Sequence, residues 1–194
     1  GLTQDPFILL YSAHERNGVI VFPKDLALPA GYDPRQRTWY MGAIASKNGY
    51  FVSEPYVDAT NTDVLDITIA KKIVKDGKTI GVLAVDLNAD YLKTIFSEKI
   101  ENGYVYVVNS VNTIFHPAKK ETSSVPTLDL LKKLNVKNPE EVAAIIGGKE
   151  GWNFLKVNGV DRVSIRTPIH GTDWMLGISL DKKKVIDEPV FNRT

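Results

Sequence analysis

Residues 64–87 read VLDITIAKKIVKDGKTIGVLAVDL. Apolar and polar residues alternate over 64–74, Asp76-Gly77 marks a tight turn, and 79–87 returns as an apolar run, so the stretch predicts a long antiparallel hairpin. Its return arm ends on Asp86, among apolar neighbours. A carboxylate at such a strand end has to be paired, because an unpaired buried charge is expensive. Two partners are open: the first amides of a helix beginning near Asn88, where Asp is a favoured cap, and the ammonium group of a ligand.

Working outward, 7–12 and 19–22 are apolar runs on either side of Glu15-Arg16-Asn17-Gly18, and Asn-Gly in that position predicts a second hairpin. The segment 37–46 suits a short helix after a Pro-bearing turn, and Asn88-Ala89-Asp90 opens another that runs to about 96. From Gly103 the pattern restarts. GYVYVVNSVNTIFHP at 103–117 echoes FILLYSAHERNGVIVFP at 7–23, and VDRVSIRTPIHGTDWMLGISLD at 160–181 echoes the long hairpin. Between these echoes, 127–135 and 139–146 read as helices, with Gly147-Gly148 as the stop. The expected fold class is therefore α/β (α+β), two tandem modules of antiparallel sheet flanked by helices, joined near 97–102.

Composition narrows the function. The 194 residues are 43% apolar, with 24 Lys and Arg against 23 Asp and Glu, and no segment gathers basic residues as a phosphate-backbone binder would, so no nucleic-acid partner is expected. Cysteine is absent, which excludes disulfides, thiolate catalysis and Cys-based zinc sites. No apolar run approaches the roughly 20 residues that span a bilayer, and the opening Gly1-Leu2-Thr3-Gln4-Asp5-Pro6 has no signal-peptide character. The chain is expected to be an excised part of something longer.

Catalytic motifs are scarce: there is no G-x-S-x-G, no H-E-x-x-H and no G-x-x-x-x-G-K loop, and Ser179-Leu180-Asp181-Lys182 fits S-x-x-K as chance allows. His14, His116 and His170 read as turn or surface histidines, and neither an enzyme, a metal nor a cofactor is expected. The informative cluster is YDPRQRTWY at 32–40, which places Tyr32, Arg37, Trp39 and Tyr40 together. A guanidinium, an indole N–H and two phenols can grip an anion or the ring face of a ligand; the plain alternative is an aromatic core edge with Arg37 stacked on it. Tyr56 and Asp58 follow in SEPYVDA at 53–59.

Taken in order, Tyr32, Arg37, Trp39, Tyr40, Tyr56, Asp58 and Asp86, with the phrases DPRQRTWYMGA at 33–43, SEPYVDA and DGKTIGVLAVDL at 76–87, resemble the double Cache sensor domains of bacterial methyl-accepting chemotaxis receptors and sensor kinases, in particular the amino-acid-binding subgroup. The resemblance covers about residues 5–185 and implies two PAS-like modules outside the membrane, in the periplasm or the extracellular space. Residues 1–97 would be the membrane-distal, ligand-binding module and 98–194 the membrane-proximal one. It implies that Tyr32, Arg37 and Trp39 hold a ligand carboxylate and that Tyr40, Tyr56, Asp58 and Asp86 surround its ammonium. It also implies a membrane-anchored parent that passes a signal inward, a homodimer in the full receptor, and a long N-terminal helix that this chain lacks. The second module has no counterpart of the Arg37 and Asp58 clusters and is expected to hold no amino acid. Asp66, within 64–74, is an extra carboxylate that would favour a more cationic ligand if it points inward.

Other readings compete with the amino-acid sensor. A sensor of amines or polyamines would rely on Asp58, Asp66 and Asp86 and leave Arg37 structural. A hydrolase would use Asp58 and Asp86 as acid and base, but no groove, nucleophile elbow or metal pattern accompanies them. A structural spacer would bind nothing.

Overall fold

The computed structural model describes residues 7–23, 25–47, 49–61, 63–97, 100–118 and 125–187. The chain divides into two compact units, Gly1–Leu92 and Lys93–Thr194. In the first, β1 (Phe7–His14), β2 (Ile20–Val21), β3 (Phe51–Val52), β4 (Tyr56–Val57), β5 (Leu65–Lys75) and β6 (Lys78–Asn88) form one antiparallel sheet in the order β2-β1-β6-β5-β3, with β4 also paired to β5. The long hairpin is β5 and β6. Asp76 and Gly77 turn it with positive φ of 50° and 73°, the left-handed backbone that Gly and Asp tolerate best in a two-residue turn.

Helix α1 (Thr38–Ala45) lies against this sheet. Its start is set by Asp33-Pro34: the Asp33 carboxylate accepts from the Arg35 amide at 3.0 Å and begins a 3₁₀ turn over Pro34–Gln36. Arg37 is extended, with φ −85° and ψ 147°, and leads into the helix. Residues directly opposite across a ladder share a face, so Tyr11, Ala84 and Ala70, then Ala13 and Val82, stand together under α1. The small side chains there leave room for large ones. Trp39 and Tyr40, 1% and 2% exposed, fill it, and Trp39 meets Tyr11 edge-on with ring centroids 5.3 Å apart.

Helix α2 (Ala89–Phe96) follows β6, and its first turn is capped by Asn88, whose side-chain oxygen accepts from the Asp90 amide at 2.8 Å. The second unit repeats the plan. Strands β7 (Gly103–Val108), β8 (Asn112–Phe115), β9 (Val125–Pro126), β10 (Gly151–Val157), β11 (Val160–Pro168) and β12 (Met175–Asp181) order as β10-β11-β12-β7-β8-β9, with α3 (Thr127–Lys133) and α4 (Pro139–Ile146) between β9 and β10. Strand β10 is an addition to the sequence reading, although its turn, Asn158-Gly159, is the same kind of signal that marked the first hairpin. His116 is a correction: it is 7% exposed rather than at the surface, its Nδ1 accepts from the Ala118 amide, and burial with Arg162 nearby pulls its pKa down to about 4. Such a histidine stays neutral.

The seat of α1 tolerates no added atom. A Cβ on Gly42 would stand 2.5 Å from the Phe51 ring of β3. Gly42→Ala gains about 0.5–1 kcal/mol of helix propensity but overpacks the contact at about 1–3 kcal/mol. A net loss of stability is expected in a urea melt, with α1 displaced from the sheet.

Candidate ligand-binding site

Beyond the end of α1 the same sheet face turns polar. Asp86 on β6 lies opposite Thr68 on β5, and Asp66 lies opposite Asn88 on one side and Tyr56 on the other. Asp86 is 4% exposed, and it does not cap α2, since Asn88 does. Instead the Thr68 hydroxyl donates to its Oδ1 at 2.7 Å and the Tyr11 hydroxyl donates to the same atom at 3.1 Å. Because the Thr68 proton is committed to Asp86, the Tyr56 hydroxyl is the donor in its 2.5 Å contact with Thr68. A relay of hydroxyls thus runs Tyr56 to Thr68 to Asp86. Burial drives the Tyr11 and Tyr56 hydroxyls above the usual phenol range, with the Asp86 charge adding to it, so both remain donors. Burial also lifts the Asp86 carboxyl to about 6, against which the two hydroxyl bonds pull downward.

Asp58 sits in the turn after β4. Its Oδ1 accepts from the Thr60 amide and hydroxyl at 2.6 Å each and from the Asn61 amide at 2.5 Å, so one oxygen of Asp58 holds its own loop. Asp66 is 1% exposed, and among the described residues neither carboxylate oxygen finds a donor. Its polar neighbours are two more carboxylates. Oxygens of Asp58, Asp66 and Asp86 lie within 4.8 Å of one another. Burial first, then a hydrogen bond to Asp58 that exists only if Asp66 carries the proton, raises the Asp66 carboxyl to about 8, whereas Asp58 is held below its usual value despite its own partial burial. At neutral pH the pair is an acid facing a carboxylate.

At the other end, Arg37 lies over the Tyr32 ring, with the guanidinium carbon 5.4 Å from the centroid. Burial raises the Tyr32 hydroxyl, and Trp39 and Arg37 draw it back. Three contiguous clefts of about 370, 380 and 510 Å³ join these groups. The first is lined by Tyr11, Tyr32, Tyr56, Asp58 and Asp86, the second by Arg37, Trp39 and Tyr56, and the third by Asp58, Asp66 and Asp86 with Leu9, Leu26 and Val64. Tyr56 belongs to the first and second, and Asp58 and Asp86 to the first and third. Six of the seven residues picked out in the sequence therefore meet. Tyr40 stands apart: it lines none of these clefts, and its hydroxyl donates to Glu15 at 2.7 Å behind Trp39. Tyr11, Thr68 and the inward side chain of Asp66 complete the set. In the second unit, the cavity among Tyr104, His116, Leu130 and Ser179 is lined, among the described residues, by neither a carboxylate nor a guanidinium.

The chain belongs to the Cache domain family, whose sequence pattern it matches over residues 3–189. Its relatives include the methyl-accepting chemotaxis proteins McpA and McpG of Pseudomonas putida. McpA is 27% identical over 95% of this chain and McpG 31% over 92%, and the chain spans only 28% and 27% of their respective lengths. Among solved structures it resembles the ligand-binding domain of the Pseudomonas fluorescens chemoreceptor CtaA in complex with L-leucine, with a TM-score of 0.73 and 27% identity over 92% of this chain and 72% of that one. The ligand-binding domain of the Pseudomonas aeruginosa amino-acid chemoreceptor PctB in complex with L-Arg gives 0.70 and 26%, over 93% and 74%. The fold is that of the double Cache structures.

Asp66 ties stability to pH. A carboxyl whose pKa is raised on folding takes up a proton as the chain folds, so its contribution is complete below the unfolded value near 4 and is lost as pH rises through the folded value. For Asp66 that window runs from about 4 to about 8. The melting temperature of the ligand-free protein is expected to fall across it, and Asp66→Asn to flatten the fall, as calorimetry at several pH values would show.

Proposed function

We propose that this chain is the extracytoplasmic ligand-binding part of a transmembrane chemoreceptor, and that residues 1–97 form its membrane-distal module and bind a small zwitterionic α-amino acid. The supporting observation is the separation of charge along the clefts: Arg37, Tyr32 and Trp39 at one end, and Asp86 with Tyr56 and Asp58 at the other. A zwitterion needs that polarity, with donors for its carboxylate and acceptors for its ammonium. In the second module, 98–194, the described residues line a cavity without such a pair, and the module serves as the link toward the membrane. In this reading the parent is membrane-anchored and dimeric, and the chain catalyses no reaction. The chemotaxis relatives favour a chemoreceptor over a sensor kinase. Bound amino acids in CtaA and PctB favour the amino-acid ligand over a simple amine. Tyr40 acts from behind, holding Trp39 through their ring contact, centroids 5.5 Å apart.

A ligand the size of alanine, with about six non-hydrogen atoms, can gain at most about 9 kcal/mol. Micromolar binding needs about 8 kcal/mol, so nearly every contact has to be made. A thermal-shift screen over the twenty amino acids, amines and small carboxylates tests the class, since a ligand of the native state raises the melting temperature. Arg37→Ala is expected to remove measurable binding in calorimetry while the domain stays folded; unchanged affinity would return Arg37 to a structural role. Asp86→Asn is nearly isosteric and is expected to weaken binding by about 1.5–3 kcal/mol, the range for a hydrogen bond to a charged group.

A further inference from the structure

We propose that Asp66 is a third acceptor for the ligand ammonium, so that Asp58, Asp66 and Asp86 together receive all three N–H bonds of a primary amine and the site discriminates against secondary amines. The inference rests on the amino-acid reading above and adds to it a residue and a selectivity. A primary ammonium directs its N–H bonds at tetrahedral angles, and acceptors about 2.8 Å from the nitrogen then stand about 4.6 Å apart. The three carboxylates offer oxygens within 4.8 Å of one another. That bound admits the spacing one nitrogen needs to reach all three.

Asp66 is the member of the trio that points to a ligand. It is 1% exposed, it lines the third cleft, and no described residue donates to either of its oxygens. A buried acceptor left in that state is costly, and burying it is explained if something outside the chain supplies the donor. Asp86 already has two hydroxyls and Asp58 its own turn, so both are satisfied without a ligand. With its proton on the oxygen facing Asp58, Asp66 keeps a carbonyl oxygen that can still accept. A divalent cation fits less well: calcium takes six to eight oxygens, and of those that Asp58, Thr60, Asn61, Asp66 and Asp86 bring to the cleft, Asp58 Oδ1, Asn61 Oδ1 and Asp86 Oδ1 already accept hydrogen bonds. A secondary amine, such as proline or an N-methyl amino acid, has one donor fewer and leaves one carboxyl of the cleft unpaired.

The test is a cycle in calorimetry on the 194-residue chain. L-alanine, L-leucine and L-arginine are each titrated beside their Nα-methyl derivatives, into wild type, Asp66→Leu and Asp66→Asn, with a melting curve to verify that each protein is folded. In the wild type, Nα-methylation is expected to weaken binding at least about 30-fold, since a buried polar group loses its partner. In Asp66→Leu the parent amino acid is expected to bind about 10-fold more weakly and the methyl penalty to shrink below about threefold, because the third acceptor is gone and only the steric cost remains. Asp66→Asn keeps a carbonyl acceptor and is expected to retain a penalty of at least about 10-fold. An equal methyl penalty in wild type and Asp66→Leu overturns the role of Asp66 and leaves the amino-acid site standing. Stabilisation of the ligand-free protein by calcium alone, lost in Asp66→Asn, overturns it in favour of a metal. Failure of every amino acid to bind the folded wild type rejects the amino-acid reading itself and Asp66's role with it.

Discussion

The first unit depends on keeping a charged carboxylate out of water. Asp86 is almost wholly buried on a sheet face, and burial of that kind is tolerated only with donors in place. Tyr11 reaches it from β1 and Thr68 from β5, so the strands on both sides of β6 are committed to the same oxygen. Tyr56 then stands on Thr68 and brings β4 into the arrangement. Registration of four strands and polarity of one cleft are consequences of one solvation requirement. Small residues at Ala13, Ala70 and Ala84 do the complementary work on the apolar half of the face, where they admit Trp39 and Tyr40. The boundary between the two halves is where the clefts open.

Much of this was legible in the sequence. Two Asn-Gly or Asp-Gly turns between apolar runs located both hairpins of the first unit, and the Pro-bearing turn at Asp33-Pro34 located α1. What the sequence hid is which residue faces Asp86. Lys75 pairs with Lys78 and Val74 with Thr79, and an unbroken ladder counted back from there would set Ile67 against Asp86. A one-residue shift between Ile73 and Val74 sets Thr68 there instead. A shift of one residue exchanges the two faces of a strand; the extra residue is Ile80 on β6, and the Gly81 beside it is a bulge signal that also fits a close backbone approach. For the same reason Thr68 is not readable as the partner of Asp86 and the inward turn of Asp66 stands only as a condition, while Tyr11 comes from β1, whose register with β6 has its own shift between Phe7 and Leu9. Tyr40, next to Trp39 in sequence, points about one residue's rotation around the helix, toward Glu15.

The trio of carboxyls is arranged unevenly, and the unevenness is chemical. Asp58 is stabilised as an anion by its own turn, Asp86 is solvated by hydroxyls, and Asp66 has no donor among the described residues. Protons distribute accordingly, with the neutral form falling to the member that has no donors. The repulsion of three anions is thus relieved by the raised pKa of the member that burial leaves least solvated. The cost is concentrated in a single side chain.

Arg37 sits in extended backbone between a 3₁₀ turn and α1, whereas Asp86 and Thr68 lie toward one end of the long β5–β6 ladder, with β1 paired to β6 on its other side. In the proposed function, one end of the ligand is gripped by a short connecting segment and the other by strands hydrogen-bonded into the sheet. A bound molecule is then a cross-brace whose length sets how close α1's leading end is drawn to the sheet. Such a site measures span as well as chemistry. An amino acid with one more methylene between its two charged ends would carry the same groups and yet leave the brace at a different gauge.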